Sequence, residues 1–257
     1  MIATSGRVTA LAIGLPLVLG VMGFQAFDMV GLMAQTSEHH EASYPWQGGE
    51  IALDISSGGV TVVTGDSNTV GVSYTEHYQL RKPTVSATQV GAGLQLKARC
   101  PGVFFSNNCD INYTLTVPSS AKMTIHTGNG GVRIADLTGA VSLNTGNGGI
   151  SLTNVGGDVQ ARTGNGGVHA VGLRSSTFQV HTGNGGVNLQ WATAPMSVSV
   201  TSGNGGVQLN VPSGTGPYRV DVSSGNGGRE VTVPTSANAA ASIVVHTGNG
   251  GIRVGYP

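Results

Sequence analysis

The sequence predicts an all-β protein: a parallel β-solenoid of about seven coils of 18–23 residues, preceded by further β-strands and, ahead of those, an amino-terminal transmembrane helix. Three observations carry this expectation. Gly-Asn-Gly-Gly occurs seven times, beginning at Gly128, Gly146, Gly164, Gly183, Gly203, Gly225 and Gly248, at intervals of 18, 18, 19, 20, 22 and 23 residues. Apolar and polar residues alternate with period two on both sides of these copies, the mark of half-buried strands, and no helical apolar period follows residue 27. The stretch from Val8 to Phe27 carries no charge and is dominated by Leu, Val, Ile, Ala, Gly and Met.

That first stretch, residues 8–27, would span ~30 Å as a helix, the thickness of a bilayer's hydrocarbon core. Arg7 precedes it, and no further Lys or Arg occurs until Arg81, whereas Asp28, Glu38 and Glu41 follow. The positive-inside rule therefore leaves residues 1–7 in the cytoplasm and places the bulk of the chain outside. A small-x-small cleavage site is missing, because Phe24 stands two before Ala26 and Leu32 two before Ala34. An uncleaved anchor is favoured over a cleaved signal that would release the protein. Residues 28–48, with Glu38-His39-His40-Glu41 and Tyr44-Pro45-Trp46, read as a polar tether. The paired histidines there offer metal ligands, but a solvated linker is the favoured reading.

Residues 49–257 form the domain. Ile51 to Ser73 reads as two or three strands in which Ser56-Ser57-Gly58-Gly59-Val60 is a degenerate relative of the repeat. Gly93 to Lys97 and Asn112 to Val117 add more. Cys100 and Cys109 are the only cysteines and bracket eight residues. In an oxidising compartment a pair this close is expected to form a disulfide worth ~2–3 kcal/mol, two free thiols being the alternative. The interval is neither a Cys-x-x-Cys redox motif nor a zinc spacing.

Within the repeats, a hydroxyl residue precedes each copy: Thr127, Thr145, Thr163, Thr182, Ser202, Ser224 or Thr247. Apolar residues lie two and four positions before it, and a second short strand opens after the glycines with Val132, Ile150, Val168, Val187, Val207 or Ile252. In the sixth copy Arg229 takes that apolar slot, which predicts a locally irregular rung. In a solenoid the turn residues Asn129, Asn147, Asn165, Asn184, Asn204, Asn226 and Asn249 would stack as an amide ladder. An antiparallel meander is the rival, since Asn-Gly between alternating strands is also a hairpin signal. Recurrence of the same residue types at each step favours the solenoid, because identity rewards stacking in register.

The chemistry is sparse. Twelve Lys and Arg balance twelve Asp and Glu, and charged residues make up 9% of the chain. This removes the basic footprint of a nucleic-acid partner. No Lys and no helix follow the Gly-rich turns, so they do not read as phosphate loops. They carry Asn where calcium-binding repeats carry Asp. Asp136 and Asp158 are the one acid pair on adjacent coils, in different columns, and make a weak basis for glycosidase chemistry. No catalytic, cofactor-binding or metal-binding residues are expected. The outward column His126, Asn144, Arg162, His181, Thr201, Ser223 and His246 is the candidate binding face.

Several motifs taken together resemble the "putative adhesin" family, a domain of unknown function in bacterial envelope and surface proteins. They are Ile51-Ala52-Leu53-Asp54-Ile55 followed by Gly59-Val60-Thr61-Val62, the Cys100 and Cys109 pair, Tyr113-Thr114-Leu115-Thr116-Val117-Pro118, and the recurrent Thr-Gly-x-Gly turns. The family commonly has Ser-Gly-Asp where this chain has Asn-Gly-Gly. The resemblance implies a β-solenoid-like fold in an extracytoplasmic setting and brings no catalytic residues. The functional expectation is a non-enzymatic, single-pass bacterial membrane protein whose solenoid binds a cell-surface polymer or envelope protein. The alternatives are an envelope-stress or regulatory component of a membrane complex and a carbohydrate-active enzyme.

Overall fold

The computed structural model describes residues 35–65, 68–102 and 109–257. The expected cytoplasmic segment 1–7, the membrane helix 8–27 and the start of the tether lie outside the described residues. No helix among the described residues is long and apolar enough to cross a membrane.

Among the described residues seven strands precede the repeats: β1 (Thr36–Pro45), β2 (Ile51–Ser57), β3 (Val60–Gly65), β4 (Thr69–Tyr78), β5 (Thr84–Val90), β6 (Gly93–Arg99) and β7 (Asp110–Pro118). The first four repeats give β8 (Met123–Asn129), β9 (Val132–Ala135), β10 (Val141–Asn147), β11 (Ile150–Thr153), β12 (Val159–Asn165), β13 (Val168–Leu173), β14 (Thr177–Asn184) and β15 (Val187–Trp191). The last three give β16 (Ser197–Asn204), β17 (Val207–Asn210), β18 (Arg219–Asn226), β19 (Arg229–Val231), β20 (Ser242–Asn249) and β21 (Ile252–Gly255). Each repeat is thus one rung of two strands that meet at the Gly-Asn-Gly-Gly turn. Like strands pair in parallel and in register, so a solenoid forms rather than a meander.

Two sheets result. One runs β18-β20-β16-β14-β12-β10-β8-β2-β6-β5 and the other β1-β4-β7-β3-β9-β11-β13-β15-β17-β21-β19. The period-two alternation sends one set of side chains between them. Met123, Val141, Val159, Phe178, Val198 and Ile243 form one buried column, and Val132, Ile150, Val168, Val187, Val207 and Ile252 another. Phe178 and Trp191 meet edge to face at 5.7 Å, thickening the core in the middle of the stack.

The turn explains the repeat's composition. A side chain on the first glycine of any copy would lie 2.4–2.6 Å from a carbonyl oxygen of the neighbouring rung, and one on the glycine after Asn 1.9–2.3 Å. Both positions are closed to any larger residue. The preceding hydroxyl, buried in every copy but the sixth, where Ser224 is half-buried, donates to a glycine carbonyl one rung away, as Thr145 does to Gly130 (3.1 Å) and Thr163 to Gly148 (3.0 Å). The asparagines form an unbroken amide ladder, with Asn147 donating to Asn129, Asn165 to Asn147, Asn184 to Asn165 and Asn204 to Asn184 at 2.7–2.8 Å.

Rungs do not stack in chain order at either end. The seventh repeat inserts between the fifth and the sixth: β20 pairs with β16 on one side and β18 on the other, and β21 lies between β17 and β19. The ladder follows, Asn249 donating to Asn204 and Asn226 to Asn249. The expected local irregularity in the sixth copy is therefore a change of place. Arg229 cannot occupy an inner slot, so its rung becomes the outermost, with β19 exposed and Val220 and Val222 only half-buried. The seventh, with Ile243, Val245, Ile252 and Val254 all buried, fills the interior position.

At the other end β2 and β3 form an additional rung beneath β8 and β9, and β6 and β7 form a second one outside it. Cys100 and Cys109 are joined as a disulfide between β6 and β7, where a repeat would have its turn. Antiparallel strands finish this end, β5 on one sheet and β4 then β1 on the other. The stretch 36–45, read as part of the tether, is instead strand β1. Its polarity misleads because an outermost strand is held by backbone pairing to β4 and needs few apolar side chains.

The two glycines after Asn204 test the turn geometry. Gly205 has φ +154°, and a Cβ there would lie 2.2 Å from the Gly185 oxygen, whereas at Gly206 the nearest atom is 3.6 Å away. Gly205→Ala is expected to cost ~2–3 kcal/mol in urea unfolding, the scale of an overpacked site. Gly206→Ala should be neutral, or stabilise by up to ~1 kcal/mol through reduced freedom of the unfolded chain.

Candidate functional site

The outward column expected from the sequence exists, in a changed order. On the sheet that contains β8, in-register pairing aligns His126, Asn144, Arg162, His181, Thr201, His246 and Ser223. His246 therefore lies two rungs from His181, about 10 Å at strand spacing, rather than three. Ser223 and the His246 Nδ1 are hydrogen-bonded at 2.5 Å. Lys97 and Asp54 extend the column past His126. Arg99 donates to both oxygens of Asp54, and this bonding holds the Asp54 carboxyl below the usual carboxylate range. The face is nearly flat, its dents measuring 370 and 140 Å³.

A larger concavity lies on the other sheet. A groove of about 1150 Å³ crosses all seven repeats along the third glycine of each copy, from Gly131 to Gly228. Six steps of strand spacing make it about 29 Å long. Its floor is the glycine backbone. One wall is the outward column Arg133, Ser151, His169, Asn188, Gln208, Arg253 and Glu230, aligned rung by rung. Arg253 and Glu230 form an ion pair at 3.6 Å at the outer end. Beyond the opposite end, Asn112 Oδ1 accepts from the Gly59 N–H at 2.8 Å, so a side chain sits over the next glycine of the series.

The third glycine is demanded by the fold far less than the other two. A Cβ there would make ordinary contact at 3.5–3.7 Å at Gly149, Gly186, Gly206 and Gly251, meet nothing within 4 Å at Gly228, and press a neighbouring carbonyl by a few tenths of an ångström at Gly131 (3.3 Å) and Gly167 (3.1 Å); none of the seven has a left-handed φ. Two of the three glycines in each copy are fixed by stacking, and the third keeps the groove open. Sequence reasoning missed this site, although its signal was present: the alternation that buries 132 and 134 puts 131 and 133 on the outside together.

The groove offers hydrogen-bonding groups of both polarities along a straight line, and its lining is net positive, with Arg133, Arg229 and Arg253 against Glu230. That suits an extended, polar, repeating ligand. The acid pair Asp136 and Asp158 is not brought together. Asp136 Oδ1 accepts from Asn154, and Asp158 Oδ1 from the Thr177 N–H, each holding its own rung-to-rung loop.

No curated protein matches the chain. A "putative cell adhesion protein" from Clostridium sporogenes ATCC 15579 is similar at 12% identity and TM-score 0.41, over 86% of this chain and 100% of that one. A "putative adhesin" from Bacteroides fragilis NCTC 9343 is similar at 13% identity and TM-score 0.47, over 84% of this chain and 96% of that one. The family model described as Toastrack DUF4097 matches residues 49–256, and the chain belongs to that family.

Proposed function

We propose that the protein is a non-enzymatic component of a bacterial cell envelope, anchored in the membrane through residues 8–27, whose extracytoplasmic solenoid binds an extended cell-surface polymer along the glycine-floored groove. The observation that carries this reading is the third glycine of the repeat, present in all seven copies although at Gly149, Gly186, Gly206, Gly228 and Gly251 packing would admit a side chain. A rigid stacked scaffold loses little conformational entropy on binding, so an extended ligand meets a groove already formed. The charge-free span after Arg7 supports the anchor and its orientation. The Cys100–Cys109 disulfide supports an oxidising compartment.

Intact cells producing the full-length chain test the location. Protease added outside is expected to digest the domain and leave an amino-terminal fragment in the membrane; protection until lysis would place the domain inside and end the reading.

Co-sedimentation with purified cell-wall sacculi tests the groove. Gly149→Tyr with Gly206→Tyr fills it at positions where a Cβ has 3.5 and 3.6 Å of clearance. The pair should weaken sedimentation at least about tenfold, the loss of a few hot-spot contacts. If it binds as well as wild type while Arg162→Ala with His181→Ala does not, the flat column on the other sheet is the binding face. Failure of the wild type to sediment, together with a membrane partner recovered by crosslinking, would favour the regulatory alternative.

A further inference from the structure

One inward slot of the antiparallel cap holds the wrong kind of residue for a core. The core-facing side of β4 presents Val70, Val72, Tyr74, Glu76 and Tyr78, and the Glu76 side chain is only 2% exposed. Its Oε2 accepts no hydrogen bond. A buried carboxylate oxygen without a donor is costly and calls for a cation.

Register brings two further ligands to it. Glu38 of β1 lies directly across from Glu76, and His40 follows two residues on, on the same face. The His40 Nε2 is 3.6 Å from Glu38 Oε2 and 3.9 Å from Glu76 Oε2, and it too is buried without a hydrogen-bond partner. The three donor atoms lie within 4.8 Å of one another. The His40 ring is stacked on Tyr74 at 4.8 Å, and the Tyr78 hydroxyl donates to the other oxygen of Glu38, so two ligands are oriented from outside the cluster. His39 points to the opposite face, against Thr75 and Glu41, so the histidine pair is divided between two surroundings.

The cation now beside these groups is Lys82, 2.5 Å from Glu38 Oε2 and 3.6 Å from Glu76 Oε2. Its side chain is 48% exposed and free to swing outward. Glu38 and His40 are each 35% exposed, which leaves an approach from solvent and room for a bound water.

We propose that Glu38, His40 and Glu76 form a binding site for one divalent transition-metal ion, zinc foremost, and that the Lys82 ammonium holds the cation's place until the metal displaces it. An imidazole nitrogen with two carboxylates suits zinc or manganese, whereas calcium asks for six to eight oxygens. Bonds of about 2.0–2.2 Å require the three donors to close in by less than about 1 Å, within reach of side-chain rotation. The ion would clamp β1, the outermost strand, to β4.

Titration of the full-length chain in detergent with Zn2+ by calorimetry, and with Co2+ by visible absorption, tests the site. One ion per chain is expected, with Co2+ bands of a low-coordinate nitrogen and oxygen set. Glu76→Gln should weaken Zn2+ by more than the ~10–100-fold that loss of an outer-shell partner costs. His40→Ala, at a half-exposed position, repeats that loss if the Gln variant fails to fold. Lys82→Met should tighten Zn2+ roughly fivefold, the scale of an ion pair half open to water. Its thermal midpoint should fall without metal and recover with it. Absence of saturable one-to-one binding in both the wild type and Lys82→Met overturns the proposal. So does binding that survives Glu76→Gln and His40→Ala but is lost in His126→Ala with His181→Ala.

Discussion

The close approach of one turn to the next governs the rest of the molecule. Parallel rungs stack at about 4.8 Å, and at the corner between the two sheets a carbonyl of one rung occupies the space where the neighbour's Cβ would be. Glycine on both sides of Asn is the solution at each step. With the corner in place, the asparagine amides fall within hydrogen-bonding distance along the stack, the buried hydroxyls reach the glycine carbonyls, and the apolar columns align without slippage. The polar groups that a tight corner would bury are satisfied by the rungs above and below.

Stacking of this kind is indifferent to chain order, and the ends of the molecule show it. An interior rung needs apolar residues in every inward slot and a neighbour on both sides; an outer rung needs a neighbour on one side only. The sixth repeat, with an exposed Arg229 in register with the buried Ile252, and the β6–β7 rung, with a disulfide in place of the glycine turn, are the rungs left outermost. At the carboxyl-terminal end the chain passes over an inner position that the seventh repeat then fills, and at the amino-terminal end it places β6 and β7 outside the preceding β2–β3 rung before crossing to β8 on the other side. The amino-terminal end is then covered by antiparallel strands, whereas among the described residues β18 and β19 are the edge strands at the other end.

The repeats, the strand alternation, the parallel stacking, the asparagine columns and the cysteine pairing were legible because each is a local pattern or a periodic one. Rung order was not, because Arg229 signals a defect without saying where the chain will put it. Strand β1 was hidden for a related reason: Glu38-His39-His40-Glu41 has the composition of a linker, and only pairing with β4 turns alternate members to opposite faces. The groove was half legible. Three glycines per copy look equivalent in sequence, and coordinates are needed to separate the two that stacking demands from the one it demands far less. The binding column chosen from the sequence is real as a surface, but the deeper concavity lies on the other sheet.

Disulfide trapping of paired cysteines tests most directly the claim that residue quality, not chain order, places the rungs. Thr201 and His246 are in-register neighbours, and Thr201 and Ser223 are separated by His246. Neighbouring Cα atoms at about 4.8 Å fall within disulfide range, and those two rungs apart do not. Thr201→Cys with His246→Cys is predicted to crosslink readily in the folded protein, and Thr201→Cys with Ser223→Cys to stay reduced. The reverse outcome would place the sixth repeat beside the fifth and contradict the account.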